Sequence, residues 1–182
     1  MSRPKGEKVF LKWLARGPAE KRRLADQVIA NITPIFEQAG FSWVGTCFYG
    51  RPQINEIPME RRNDDGTVDF VSISFNKYRK PQFDLQALRL APPDHRHWTK
   101  NAHLVWKQDD DVRYKRWGPK WWELDRAQAE NKAVGRVRDL APQLIAYLGG
   151  EQPGPNVRVW PMDSQRADVF GDRPVGLGLL CL

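Results

Sequence analysis

Apolar residues recur at three- and four-residue steps over two long stretches of the chain and alternate with a period of two over several short ones, the pattern of helices flanking a sheet. Residues 7–16, EKVFLKWLAR, place Val9, Phe10, Trp13 and Leu14 on one helical face beside Lys8, Lys12 and Arg16. Gly17-Pro18 ends that pattern, because proline fixes φ and disfavours helix in the residue before it. A basic amphipathic helix is therefore expected within residues 1–17, its apolar side docked on the rest of the protein. Membrane-surface or phosphate binding are the alternative uses of its cations. A longer helix is expected from about Ala19 to Gln38, where Leu24, Val28, Ile32, Ile35 and Phe36 recur at helical spacing. Pro34 predicts a kink or a fresh helix start near Thr33, and Gly40 a left-handed stop.

From Phe41 the period changes to two. Phe41, Trp43, Cys47 and Tyr49 alternate with Ser42, Val44, Thr46 and Phe48, which reads as a strand with apolar groups on both faces. Residues 54–61 and 67–76 read as a hairpin, because Asn63-Asp64-Asp65-Gly66 has the turn chemistry between them. Pro58 demotes the first of these strands to an edge or a bulge. Residues 82–90 form a further strand whose alternation slips at Ala87-Leu88, suggesting a bulge there. His103–Trp106 and Val112–Lys115 suggest two short strands around the acidic turn Asp109-Asp110-Asp111.

The last long helix opens at Asp125, an N-cap with Gln128 at capping-box spacing. Ala129, Ala133, Val137, Leu140, Leu144 and Leu148 supply its stripe, Pro142 interrupts it, and Gly149-Gly150 close it. The fold class expected is α+β: an antiparallel sheet of about five strands packed against two kinked helices, with an extra N-terminal helix. Residues 18–149 make the single α+β domain, and 150–182 a Pro/Gly-rich extension with one strand at Val157–Trp160.

Charge narrows the functional classes. Of the formal net charge of +7, the first 23 residues contribute +6, from eight Lys/Arg against two Glu. The remainder has no global excess with which to attract a polyanion. Eight Trp and eight Phe stand against four Tyr, and rings of that size are mortar for a core before they are contact surface. Cys47 and Cys181 are the only cysteines, which gives no disulfide framework and suits a reducing, cytoplasmic setting. The N-terminus has no apolar stretch of signal-peptide length, and the longest apolar run is Leu177–Leu182, so no transmembrane segment is expected.

Candidate chemistry is sparse. His95, His97 and His103 are enough imidazoles for a zinc site with one open position, with Asp94 as an oxygen ligand, but His95 lies in a Pro-rich loop and surface histidines are the simpler reading. There is no G-x-S-x-G elbow, no P-loop and no G-x-G-x-x-G, so the expectation leans away from an enzyme and names no cofactor. Two basic and aromatic clusters remain. Lys77-Tyr78-Arg79-Lys80 follows a strand, and Arg113-Tyr114-Lys115-Arg116-Trp117 with Lys120-Trp121-Trp122 precedes the last helix. With Lys8, Lys12, Arg16, Lys21, Arg22 and Arg23, the cations Lys77, Arg79, Arg113, Lys115 and Arg116 form a candidate nucleic-acid surface, since interleaved rings and cations stack bases and neutralise phosphates. The competing use is a wedge, in which Trp117, Trp121 and Trp122 pin the helix entrance onto the sheet while the cations reach outward.

The helix ending in Pro34 and Gly40-Phe41, the antiparallel strands, and Trp121-Trp122-Glu123-Leu124 leading into a helix that closes at Tyr147-Leu148 resemble the bacterial domain-of-unknown-function 4304 family over residues 20–149. That resemblance implies an α+β domain without an established activity. The leading expectation is a non-enzymatic protein-interaction module, with bacterial competition or defence as its setting, whose partner is another protein. The alternative is a nucleic-acid binder, and a metal-dependent enzyme comes third.

Overall fold

The structure is a computed structural model that describes residues 5–44, 47–48, 51–52, 54–78, 80–92, 98–106, 117–120 and 123–160. Its helices are α1 (Lys5–Ala15), α2 (Ala19–Asn31), α3 (Thr33–Gln38) and α4 (Arg126–Gly149). Its strands are β1 (Ser42–Trp43), β2 (Cys47–Phe48), β3 (Arg51–Pro52), β4 (Glu56–Arg62), β5 (Val68–Phe75), β6 (Phe83–Leu90), β7 (Trp98–Leu104) and β8 (Val157–Val159). Six of them form an antiparallel sheet in the order β1-β4-β5-β6-β7-β8, and β2 with β3 makes a separate two-stranded hairpin. The class is α+β, with one strand more in the main sheet than expected.

The break at Pro34 falls as the missing donor requires: α2 ends, Ile32 donates its N–H to the Val28 carbonyl, and α3 begins at Thr33 with proline in its first turn. Gly40, at φ 86°, then turns the chain into β1. At the other long helix the Asp125 side chain accepts from the Gln128 N–H at 2.9 Å, and Gly150, at φ 110°, closes the end. Here the expected interruption is corrected, because α4 runs through Pro142 as one helix. Pro142 is exposed, so its missing N–H leaves a carbonyl that water can satisfy.

The helices lie on one sheet face. Leu24, Val28, Ile32 and Phe36 from α2 and α3, with Ala133, Val137, Leu144 and Leu148 from α4, pack on Ile57, Met59, Val71, Ile73, Phe75, Phe83 and Leu85 in one core. Burying side chains of this size stabilises by roughly 1.5–3 kcal/mol each. Phe10 and Leu14 of α1 and Val157 of β8 belong to the same core, so α1 and β8 are built into the body rather than appended to it, and the boundaries at residues 17 and 150 do not separate packing units.

Three strand expectations are corrected. The alternation over residues 41–49 divides into β1 and β2. Pro58 lies one strand in from the edge: its carbonyl accepts from the Val44 N–H at 3.0 Å, so its missing N–H faces the side where β1 has already ended. In β6 the slip at Ala87-Leu88 is no bulge. Ala87 faces the main core, whereas Leu88 joins Val68 and Phe70 in a small cluster on the opposite face. The register shift comes later, between Arg89 and Leu90, whose partners Lys100 and Trp98 enclose Thr99 as an extra residue of β7. Of the expected His103–Trp106 strand only His103 and Leu104 belong to β7, which ends there, and Val112–Lys115 lies outside the described residues.

Trp117 is a core ring packed at the edge of the sheet. It is buried, stacks on Trp106 at 4.7 Å, donates its indole N–H to the Leu104 carbonyl at 3.3 Å, and bridges to Phe83 through its backbone. Trp121 and Trp122 lie outside the described residues. The chain after Trp117 passes so close to its neighbour that a Cβ at Gly118, φ 139°, would stand 2.3 Å from the Pro81 carbonyl oxygen.

Candidate functional site

Two of the basic segments, far apart in sequence, meet at one corner. Lys21, in the first turn of α2, is buried, and its ammonium donates to the carbonyls of Asn76 (2.8 Å) and Tyr78 while lying 4.8 Å from the centre of the Trp13 ring. Burial lowers its pKa from the ordinary lysine value. Lys21 therefore ties the β5–β6 loop to the junction of α1 and α2. Its nomination as a phosphate contact is corrected, since its donors are spent on backbone carbonyls.

The loop it holds is closed on itself. The Asn76 N–H donates to the Gln82 carbonyl at 2.8 Å, and the Asn76 side chain accepts from the Tyr78 N–H at 2.9 Å. With its backbone pinned at both polar groups, Tyr78 is 72% exposed and stands in the chain between the exposed Lys77 and Lys80. On α1, the rings of Phe10 and Phe75 meet at 5.4 Å just before that loop. At 3.6 residues per turn, Val9 and Arg16 lie about 40° and about 60° around the helix from Trp13. Of the exposed stripe Lys8, Lys12 and Arg16, Lys8 and Lys12 lie about 140° and about 100° from Trp13, so Arg16 is the member nearest the Trp13 edge that adjoins the loop. Lys8, Lys12, Arg16, Lys77 and Lys80 have no ion-pair partner among the described residues.

The other candidate cations divide. Arg22 donates to the Ala15 and Gly17 carbonyls at 3.2 and 3.1 Å, capping the end of α1. Arg23 forms a two-pronged pair with the fully buried Glu130 at 2.7 and 3.0 Å, clamping α2 to α4. The bond from Glu130 raises the Arg23 pKa. Both arginines therefore act in helix packing first. Arg79, Arg113, Lys115 and Arg116 lie outside the described residues.

A second group of charges, not singled out from the sequence, lines one end of the helix-covered sheet face. Arg61, Asp69, Arg89 and Lys100 are register neighbours across β4 to β7. Burial opposes ionisation of Asp69, but bonds from Arg89 (2.6 and 3.0 Å), Arg61 (2.8 Å) and Asn63 (3.0 Å) outweigh it and hold the carboxyl below the usual range. Arg61 also donates to the Ala39 carbonyl at the end of α3, and Lys100 to the Tyr147 and Leu148 carbonyls at the end of α4. These carbonyls lie at two helix C-termini, where the macrodipole favours cations. The cluster is thereby explained as a structural clasp. Its signal in the sequence was a charge at an inward position of otherwise apolar strands.

On the opposite face, Glu56 accepts from Ser72 (3.1 Å) and Ser74 (2.9 Å), and burial raises its pKa above the usual range although both bonds pull it down. His103, opposite Gln86 and Arg158 in the register and 6.1 Å from the Trp160 ring, is pushed down to about 4 by burial. The two are separated by β5 and β6 and lie in different cross-strand rows, so they form no acid–base pair. Among the described residues no group of three His, Cys, Asp or Glu side chains is placed to hold a metal ion; His95 and His97 lie outside them. An open depression of about 660 Å³ beside the exposed Leu124 is lined by Glu123, Asp125, Gln128 and Lys132. Its acids are engaged in capping: Glu123 accepts from the Lys120 N–H and Asp125 from the Gln128 N–H.

No family model matches the chain, and comparison with curated proteins and with solved structures likewise found no match. Among the described residues no helix is long and apolar enough to cross a membrane.

Proposed function

We propose that this protein is a non-enzymatic binding module that grips a nucleic-acid backbone with the corner made by α1 and the β5–β6 loop. Phe10, Phe36, Phe75, Phe83 and Trp117 are core residues and α1 is docked through Phe10 and Leu14, so neither these rings nor the apolar side of α1 is offered to a protein partner. What faces outward instead is charge. The observation that carries the proposal is the buried Lys21 tether, which joins the loop bearing Lys77, Tyr78 and Lys80 to the helix bearing Lys8, Lys12 and Arg16. A polyanion is the ligand that exposed cations close in sequence to an exposed tyrosine would take. The proposal includes a bacterial, cytoplasmic protein, which suits cysteine usage and gives access to nucleic acid, and it keeps the likeness to the domain-of-unknown-function 4304 family at the level of architecture.

Fluorescence anisotropy of labelled oligonucleotides against salt concentration is the test. Each phosphate contact contributes roughly −0.7 to the slope of log affinity on log salt for a single strand. The substitutions Lys8→Gln, Lys12→Gln and Arg16→Gln made together should reduce that slope by about 2. Affinity that is absent, or flat in salt, rejects the proposal.

A further inference from the structure

Resting on that reading, we infer that the corner takes single strands, with Tyr78 as the platform on which one base stacks. A cationic stripe alone would grip duplex and single strand alike, because both present phosphates. Tyr78, 72% exposed, adds an aromatic ring next to Lys77 in the chain and two residues from Lys80, and in a duplex the faces of the bases are already covered by one another. Only an unpaired base offers a face to this ring.

The loop is built to hold the ring out. Both backbone polar groups of Tyr78 are bonded, the N–H to Asn76 and the carbonyl to Lys21, and Asn76 is bonded in turn to Gln82. The ring therefore meets its ligand with only its own side-chain rotations to lose, the condition under which a small contact yields measurable affinity. An acidic protein surface would use the five cations and bury the ring as a side-chain contact, whereas a single strand would use the ring's face itself by stacking a base on it.

The experiment compares four probes on the full chain: oligothymidylate of about 15 nucleotides, its abasic counterpart with the same phosphates, a duplex of the same length, and polyglutamate. Oligothymidylate should bind about tenfold more tightly than the abasic strand and than the duplex. Tyr78→Ala should erase that ratio, while Tyr78→Phe, which keeps the ring, should preserve it. Lys77→Gln with Lys80→Gln should weaken all four probes together. Equal binding of the thymidylate, abasic and duplex probes overturns the single-strand inference and leaves the nucleic-acid proposal standing. Polyglutamate binding as tightly as thymidylate overturns the nucleic-acid reading in favour of an acidic protein partner, and no binding of any probe overturns both. Circular dichroism of each variant, with Tyr78 on the surface, checks that the fold is retained.

Discussion

Acidification should unfold this protein through His103 before it reaches the carboxylates. His103 stays neutral down to about 4 because burial disfavours the imidazolium, whereas in the unfolded chain it takes up its proton near 6.5. A group whose folded pKa is depressed in this way stabilises the native state above the unfolded value, and that stability is lost as the pH falls from 6.5 toward 4. The full difference corresponds to roughly 3 kcal/mol, and about 2 kcal/mol of it should be gone by pH 5. Glu56 acts in the opposite sense: its pKa is raised, so protonation in the same window favours the folded state. Asp69 is held low and stays ionised throughout the window. Urea unfolding followed by tryptophan fluorescence at pH 7 and pH 5 reads the net change, and His103→Gln isolates the imidazole because it leaves both acids in place. The variant should lose about 2 kcal/mol less than the wild type between the two pH values. An equal loss in both proteins refutes the reasoning. Should the variant fold poorly, proton NMR of the wild type suffices, since the chain has three histidines and one imidazole resonance should stay unshifted until near pH 4.

Asp69→Asn removes the one carboxylate between Arg61 and Arg89 and should cost about 3 kcal/mol at pH 7, moderated by the partial exposure of both arginines. Because the Asp69 pKa is depressed, that cost should shrink as the pH falls below about 4 in the same urea assay. Gly118→Ala should lower thermal stability by on the order of 3 kcal/mol or more, from the contact with Pro81 and the positive φ. Gly135→Ala, with open space around its Cβ, should instead raise it by roughly 0.5–1 kcal/mol; calorimetric melting separates the two. Lys21→Met leaves the Asn76 and Tyr78 carbonyls without their donor and should cost about 1–3 kcal/mol in the same melts. It should also speed amide exchange in the β5–β6 loop, and an unchanged loop would deny Lys21 its tethering role.

Local chemistry made much of the fold readable. Pro34, Gly40 and the Asp125–Gln128 cap act within a few residues of themselves, so their effects follow from the chain order alone. The same holds for the hairpin turn, where Asp65 accepts from the Thr67 N–H at 2.9 Å and Gly66 takes φ 79°. The slip in β6 misled because alternation reports one buried face, and here the second face carries its own apolar cluster around Leu88. The candidate site was legible as ingredients and illegible as an arrangement. Lys21, Arg22 and Arg23 are adjacent cations in the sequence, yet they are respectively a loop tether, a cap for α1 and a partner for Glu130. Only contacts across 55 and 107 positions distinguish the first and the last. Likewise nothing near Tyr78 in sequence announces that its carbonyl is held by Lys21 of α2.

The brevity of β1 and β8 at the two rims bears on how the protein behaves when crowded. β5, VDFVSISF, is rich in valine and phenylalanine, the sort of segment that polymerises when laid bare. It is shielded on both sides by β4 and β6, and a stranger pairing with β1 or β8 would find only two or three residues of strand to copy there. A few bonds at roughly 1 kcal/mol each cannot offset the entropy of ordering an incoming segment. Ribbon growth and strand exchange are discouraged by truncation at the margins, with the adhesive sequence kept in the middle.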